Sequence, residues 1–146
     1  MLDNTKIDRW VKNLAIYYGG LQLVHMAFLI RAGRILLSSG CMPFPASPPV
    51  GGWDPQILPF FIGMGIADAI AAGIGFYFLY LILVKETIKT SIGIISLTTA
   101  FSSGLAFLIG TIASGAWNQH LGEYIILVLV FIPIFLLYIS LLRKIK

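Results

Sequence analysis

Four apolar runs, near residues 10–33, 56–84, 91–117 and 124–142, place the strongest limit on what this chain can become. A helix needs ~20 largely apolar residues to cross a bilayer, and each run is of that order. Inside hydrocarbon every backbone N–H and C=O must be satisfied by other protein groups. The runs lack the short alternation of barrel strands, so helices are the expected element. The composition agrees, with 58% hydrophobic and 11% charged residues against ~25% charged in a soluble domain. The expected fold is an all-α integral membrane protein. It is a single-domain, four-helix transmembrane bundle, a multi-pass protein of the cell membrane if the source is prokaryotic.

The net charge is +4, and its distribution points to membrane orientation rather than to nucleic acid. Lys6, Arg9 and Lys12 lie at the start of the first run. Lys85 and Lys89 separate the second and third, and Arg143, Lys144 and Lys146 follow the fourth. All of these fall on one side if the termini share it, which puts both termini in the cytoplasm. Only Arg31 and Arg34 lie near the other side, three apart, where they would meet lipid phosphates. Trp10, Trp53 and Trp117 sit at segment ends, as interfacial anchors do. The N-terminal "MLDNTKIDRWVKN" has acidic residues and no short apolar core, so it does not read as a removable signal peptide. The single cysteine, Cys41, cannot form an intramolecular disulfide.

The longest connection, residues 35–55, contains most of "SSGCMPFPASPPVGGWDPQ". It holds Pro43, Pro45, Pro48, Pro49 and Pro55 of the chain's 7 prolines. Proline-rich backbone is stiff and extended. This loop is either a plain connector or a lid and partner-docking surface across the outer mouth. In the fourth run, Pro133 is expected to kink the helix.

The second run is rich in small residues, from Gly63 to Gly75, and the third carries a similar row in Ala106, Gly110 and Ser114. Small residues let helices approach closely in lipid, so these faces are expected to pack together. "GMGIAD" is no dinucleotide fingerprint, because it lacks the third glycine and the strand-to-helix setting.

Asp68 is the exception in this run. A carboxylate near mid-bilayer costs at least ~2.5 kcal/mol, so it should face the interior and find partners or stay protonated. It shares a face with Gly65, Ala72 and Gly75. Tyr18, Gln22 and His25 share a face of the first helix, and Thr98, Thr99, Ser102 and Ser103 lie on the third. At ~1.5 Å per residue, Asp68 and the serine pair lie roughly 16 Å below the outer boundary, Gln22 roughly 12 Å and His25 roughly 8 Å. The expected site is a polar layer of Gln22, His25, Asp68 and Ser102 or Ser103, with Tyr18 beside it. Such a layer is either a hydrogen-bond network that fixes helix register or a functional site. An Asp–His pair can bind a cationic amine, move a proton or protonate a substrate.

Other chemistry is less well supported by spacing. The two histidines, His25 and His120, fall at different depths, which disfavours a bis-His haem and leaves a single-ligand haem or chlorophyll at His25. A metal site from His120, Cys41, Asp54 and Glu123 would use outer-face residues, but the spacing is not diagnostic. No metal site is therefore expected, and the cofactor is unknown. No nucleophile–base motif, phosphate loop or thiol pair is present.

With "YYGGLQLVHM" in the first helix, Asp68 in the second and "FIPIFLLYISLLRK" at the end, the chain resembles in outline the emopamil-binding and sigma-2-receptor group. That resemblance implies a four-span fold with cytoplasmic termini, and sterol or amine binding around acidic residues inside the bundle. The second helix departs from it by lacking polar and proline residues after the acidic position. The glycine-rich four-span outline is also similar to the small DoxX-like group associated with quinone-linked oxidoreductases.

Three functions follow as expectations. The first is a non-catalytic accessory subunit of a larger membrane complex, an oxidoreductase complex among the candidates. The second is a binding protein or isomerase for a lipid, sterol or amine at the Asp68 layer. The third is a small proton-coupled transporter. The expected partners are the lipid bilayer, other membrane subunits or further copies of the chain, and a hydrophobic small molecule. Nucleic acid is not among them.

Overall fold

The computed structural model describes residues 7–40 and 47–145, with Leu58 described in its backbone only. Cys41, Pro43, Phe44, Pro45, Lys6 and Lys146, which enter the readings above, lie outside the described residues. Helix α1 spans Arg9–Ser39, α2 Leu58–Leu83, α3 Thr90–Ala113, α4 Ala116–Val130 and α5 Ile132–Leu142. Among the described residues there is no strand. Four stretches are long and apolar enough to cross a membrane, with α4 and α5 together making the fourth.

The helix boundaries follow local stop signals. Helix α1 does not end near residue 33. It continues to Ser39 and stops where Gly40 takes the left-handed conformation (φ 69°), its N–H closing on the Leu36 carbonyl. Helix α2 opens on a 3₁₀ turn at Pro55–Ile57 and carries Pro59 in its first turn, where a missing N–H costs nothing. The run bounds leave residues 118–123 as a connection, but helix occupies them, with helicity interrupted at His120. The chain turns at Ser114 and at Gly115 (φ 76°), so α3 ends at Ala113 instead of 117 and α4 starts at Ala116 instead of 124. His120 is a distorted position within α4, with φ −128° and ψ 36°. Pro133 acts as expected. Helicity breaks at Phe131 and resumes with the proline in the first turn of α5.

Helices α2 and α3 form the most extensive pair, and α1 packs on α2 and α5. A tight apolar cluster joins α1, α2, α3 and α5 through Val11, Tyr18, Phe78, Ile82, Leu97 and Leu141, all nearly or fully buried. Gly93 lets α3 approach there, since a Cβ on it would lie 2.7 Å from both Phe78 and Leu141. At the same end, Lys144 Nζ lies 2.8 Å from Asp8 Oδ2. The start of α1 and the end of α5 therefore meet. A second, smaller cluster gathers Ala116 and Tyr124 with Trp53, Phe107 and Trp117 at the opposite end. The small-residue row of α3 faces α2 in part: a Cβ on Gly110 would sit 3.7 Å from Ile57 and Phe60.

Candidate functional site

The polar side chains that the sequence places in one layer separate into distinct parts. The first is a chain of hydroxyls through three helices. Tyr18 Oη lies 2.7 Å from Ser96 Oγ, and Ser96 donates to the Ala71 carbonyl at 2.7 Å. With the serine proton committed to Ala71, the tyrosine is the donor of the first bond. Both side chains are fully buried. Gly75 makes this possible, because an added Cβ would stand 2.9 Å from Tyr18 Cε1 and 3.0 Å from Ser96 Oγ. Buried Gln22 lies one turn along α1 and adjoins the same hydroxyl.

Ser103 makes a second tie. It donates to the Met64 carbonyl at 3.2 Å. The two serines are seven residues apart on α3, and their acceptors are seven apart in the opposite direction on α2. That is two turns, or ~10.5 Å, between ties along an antiparallel pair. Asp68 lies on α2 between the two acceptor residues.

Asp68 itself faces α1, where His25 Nε2 lies 3.3 Å from its Oδ2, an ion pair when the imidazole is protonated. The expected pairing of these two residues is thus present. The carboxylate side chain is 18% exposed and the imidazole 39%. No hydrogen bond from any described residue is recorded to the Asp68 carboxylate.

The structure keeps Ser102 out of this group. It is exposed, because successive residues on a helix point ~100° apart and Ser103 takes the position facing α2. Thr98 pairs with Tyr138 Oη at 3.0 Å, and Thr99 bonds back to the Ile95 carbonyl of its own helix. Ser96 is the residue that sequence reasoning passed over. Its signal was the buried row Gly93, Ser96, Leu97, Ala100 and Ser103, in which the two serines repeat at two helical turns.

At the far end, the described part of the proline-rich loop is fastened to α4. Ser47 N and Oγ each donate to Glu123 at 3.1 Å, Val50 N donates to Gln119 Oε1 at 2.8 Å, and Tyr124 Oη donates to the Ser47 carbonyl at 3.1 Å. Trp117 stacks on Tyr124 at 5.1 Å and bonds Thr111. His120 lies 3.7 Å from Glu123. Among the described residues no group of three or more His, Cys, Asp or Glu side chains is placed to hold a metal. Cys41 lies outside them.

Comparison with protein-family models, with curated proteins and with solved structures finds no match. The likeness to the two four-span groups stays one of outline.

Proposed function

We propose that this protein is an integral membrane protein that binds an amphiphile through the His25–Asp68 pair. One observation carries the reading. Gln22, Ser96 and Ser103 are buried between helices, and both serines are tied to backbone, but the Asp68 carboxylate is partly open and its recorded close partner is His25. An ionisable group is costly in hydrocarbon, which favours a site where a ligand headgroup completes its contacts. A carboxylate acceptor beside an imidazole donor suits an amine or a hydroxyl on an apolar body, such as a sterol or a lipid-like amine.

A thermal-shift screen of the purified protein with sterols and amphipathic amines tests this. Ligands of that class should raise the melting temperature of the wild type and not of Asp68→Asn. Equal shifts in both proteins would reject the pair as the site.

A second reading, accessory subunit of a larger membrane complex, draws on the outward face of α2. Gly63 and Gly73 have nothing within 4 Å of an added Cβ, so the backbone is open there to close approach by another helix. Cysteine crosslinking from Gly63 and Gly73 in the source membrane distinguishes the two. Adducts with other chains support the subunit reading, and their absence under efficient crosslinking removes it.

A further inference from the structure

Helix α1 is 31 residues long, about 46 Å at 1.5 Å per residue, against a hydrocarbon core of ~30 Å. Measured from Trp10 at its start, Arg31 lies ~32 Å along the axis and Arg34 ~36 Å. The two guanidiniums therefore reach the level of the lipid phosphates on the membrane face opposite the meeting point of α1 and α5. Ala27, Arg31, Arg34 and Ser38 recur at four, three and four residues, so they share one face of α1. This face is turned away from the bundle. Tyr18, Gln22 and Ala32 occupy the buried side, and both arginines are exposed.

Neither guanidinium has a hydrogen bond or an ion pair among the described residues. Shallow open space between side chains of this one helix is bounded by Ala27, Ile30, Arg31, Arg34, Ile35 and Ser38, and beside it by Val24, Ala27, Phe28 and Arg31. Ala27 and Arg31 belong to both, so the two form one shallow trough along the helix surface. The upper part is cationic, and the lower part, towards mid-bilayer, is apolar. Ser38 donates to the Ile35 carbonyl at 3.1 Å, which leaves the two arginines as the donors of the upper part.

We infer that this trough is a binding site for an anionic phospholipid. The phosphate bridges the forks of Arg31 and Arg34, which match its oxygens in pairs. An acyl chain runs down over Ala27, whose small side chain leaves room beside Val24 and Phe28. A zwitterionic headgroup is disfavoured, because its ammonium would stand beside two guanidiniums with no recorded acidic partner. The inference does not rest on the His25–Asp68 reading, since the two sites occupy opposite faces of α1.

The test is native mass spectrometry of the full chain released from nanodiscs of phosphatidylcholine with a minor share of phosphatidylglycerol. The wild type should retain phosphatidylglycerol over phosphatidylcholine by a factor of roughly thirty, from ~1 kcal/mol for each of the two arginines. The double variant Arg31→Gln, Arg34→Gln should lose the preference. Ala27→Trp keeps both charges, fills the trough and should lose it as well. Arg31→Lys with Arg34→Lys should keep part of it, since charge remains while the paired geometry is lost. Equal retention of the two lipids by the wild type would overturn the inference, and so would an undiminished preference in the double glutamine variant. Retention unchanged in Ala27→Trp would remove the acyl part of the site and leave charge attraction alone.

Discussion

The Tyr18 hydroxyl sits 2.7 Å from Ser96 Oγ, and through that serine it reaches the Ala71 carbonyl. Three helices are thereby joined by two hydrogen bonds at fully buried positions. Ser96→Ala removes both bonds and leaves the buried tyrosine hydroxyl with Gln22 alone beside it, whereas Tyr18→Phe leaves the Ser96–Ala71 bond in place. Ser96→Ala should therefore be the more destabilising, by ~1–2 kcal/mol against under ~1 kcal/mol. Unfolding of both variants in mixed micelles by increasing denaturing detergent measures the order. The reverse order would show that the serine, not the tyrosine, is the dispensable partner.

Gly75 and Gly73 are two residues apart and should respond oppositely. Gly75→Ala drives a methyl to within 3 Å of the Tyr18 ring, an overpacking that costs ~1–3 kcal/mol. Gly73→Ala meets nothing within 4 Å and gains helix propensity, so its stability should hold or rise by up to ~1 kcal/mol. Melting temperatures of the two variants in one detergent give the comparison. A neutral Gly75→Ala would mean that α1 is free to shift away from α2.

The turn between α2 and α3 places Glu86 at φ 49°, a left-handed conformation in a residue other than glycine. Glu86→Gly relieves that strain and should stabilise the protein by ~1 kcal/mol. Glu86→Val should cost more than Glu86→Ala, because a β-branched residue fits the left-handed region worst. Thermal unfolding of the three variants ranks them.

The loop clamp at the far end predicts a local effect. Glu123→Ala removes the acceptor for both Ser47 N and Ser47 Oγ. Hydrogen exchange at the Ser47 amide should quicken, while the amide of Val50, bonded to Gln119, changes less. The melting temperature should barely move, because these groups are exposed. Slow exchange at Ser47 in the variant would mean that the Tyr124 bond and the stacked Trp117 hold the segment unaided.

Much of this architecture is legible in the sequence. The four long apolar helical stretches and part of the small-residue approach of α3 to α2 follow from run length and composition. So does the pairing of Asp68 with α1, because a carboxylate in an apolar helix has few places to go. The helix ends are less legible. Gly40 and Gly115 stop helices through backbone conformation, which competes with the apolar pattern and wins at one residue. The split of the polar layer is also hard to read. A depth estimate treats Ser102 and Ser103 as equals, yet the rotation of one residue decides that Ser103 meets α2 and Ser102 faces outward. Ser96 is equally hard to read, because it lies one turn deeper than the level of the Asp68 carboxylate, beside Ala71.

The contact between Asp8 and Lys144 bears on the order of assembly during synthesis. Helices α2 and α3 are neighbours in sequence, and their serine ties join residues 25 and 39 positions apart. That hairpin can close as soon as α3 has left the ribosome. The ends of α1 and α5 are separated by 136 positions, and α5 supplies Ile134, Leu137 and Leu141 to the cluster that buries the lower half of α1. Until α5 is made, the face of α1 that it covers lacks its partner. Closing so large a loop late is slow relative to local pairing. Any factor that shields the unfinished chain would meet this protein on α1, along the surface that α5 later covers.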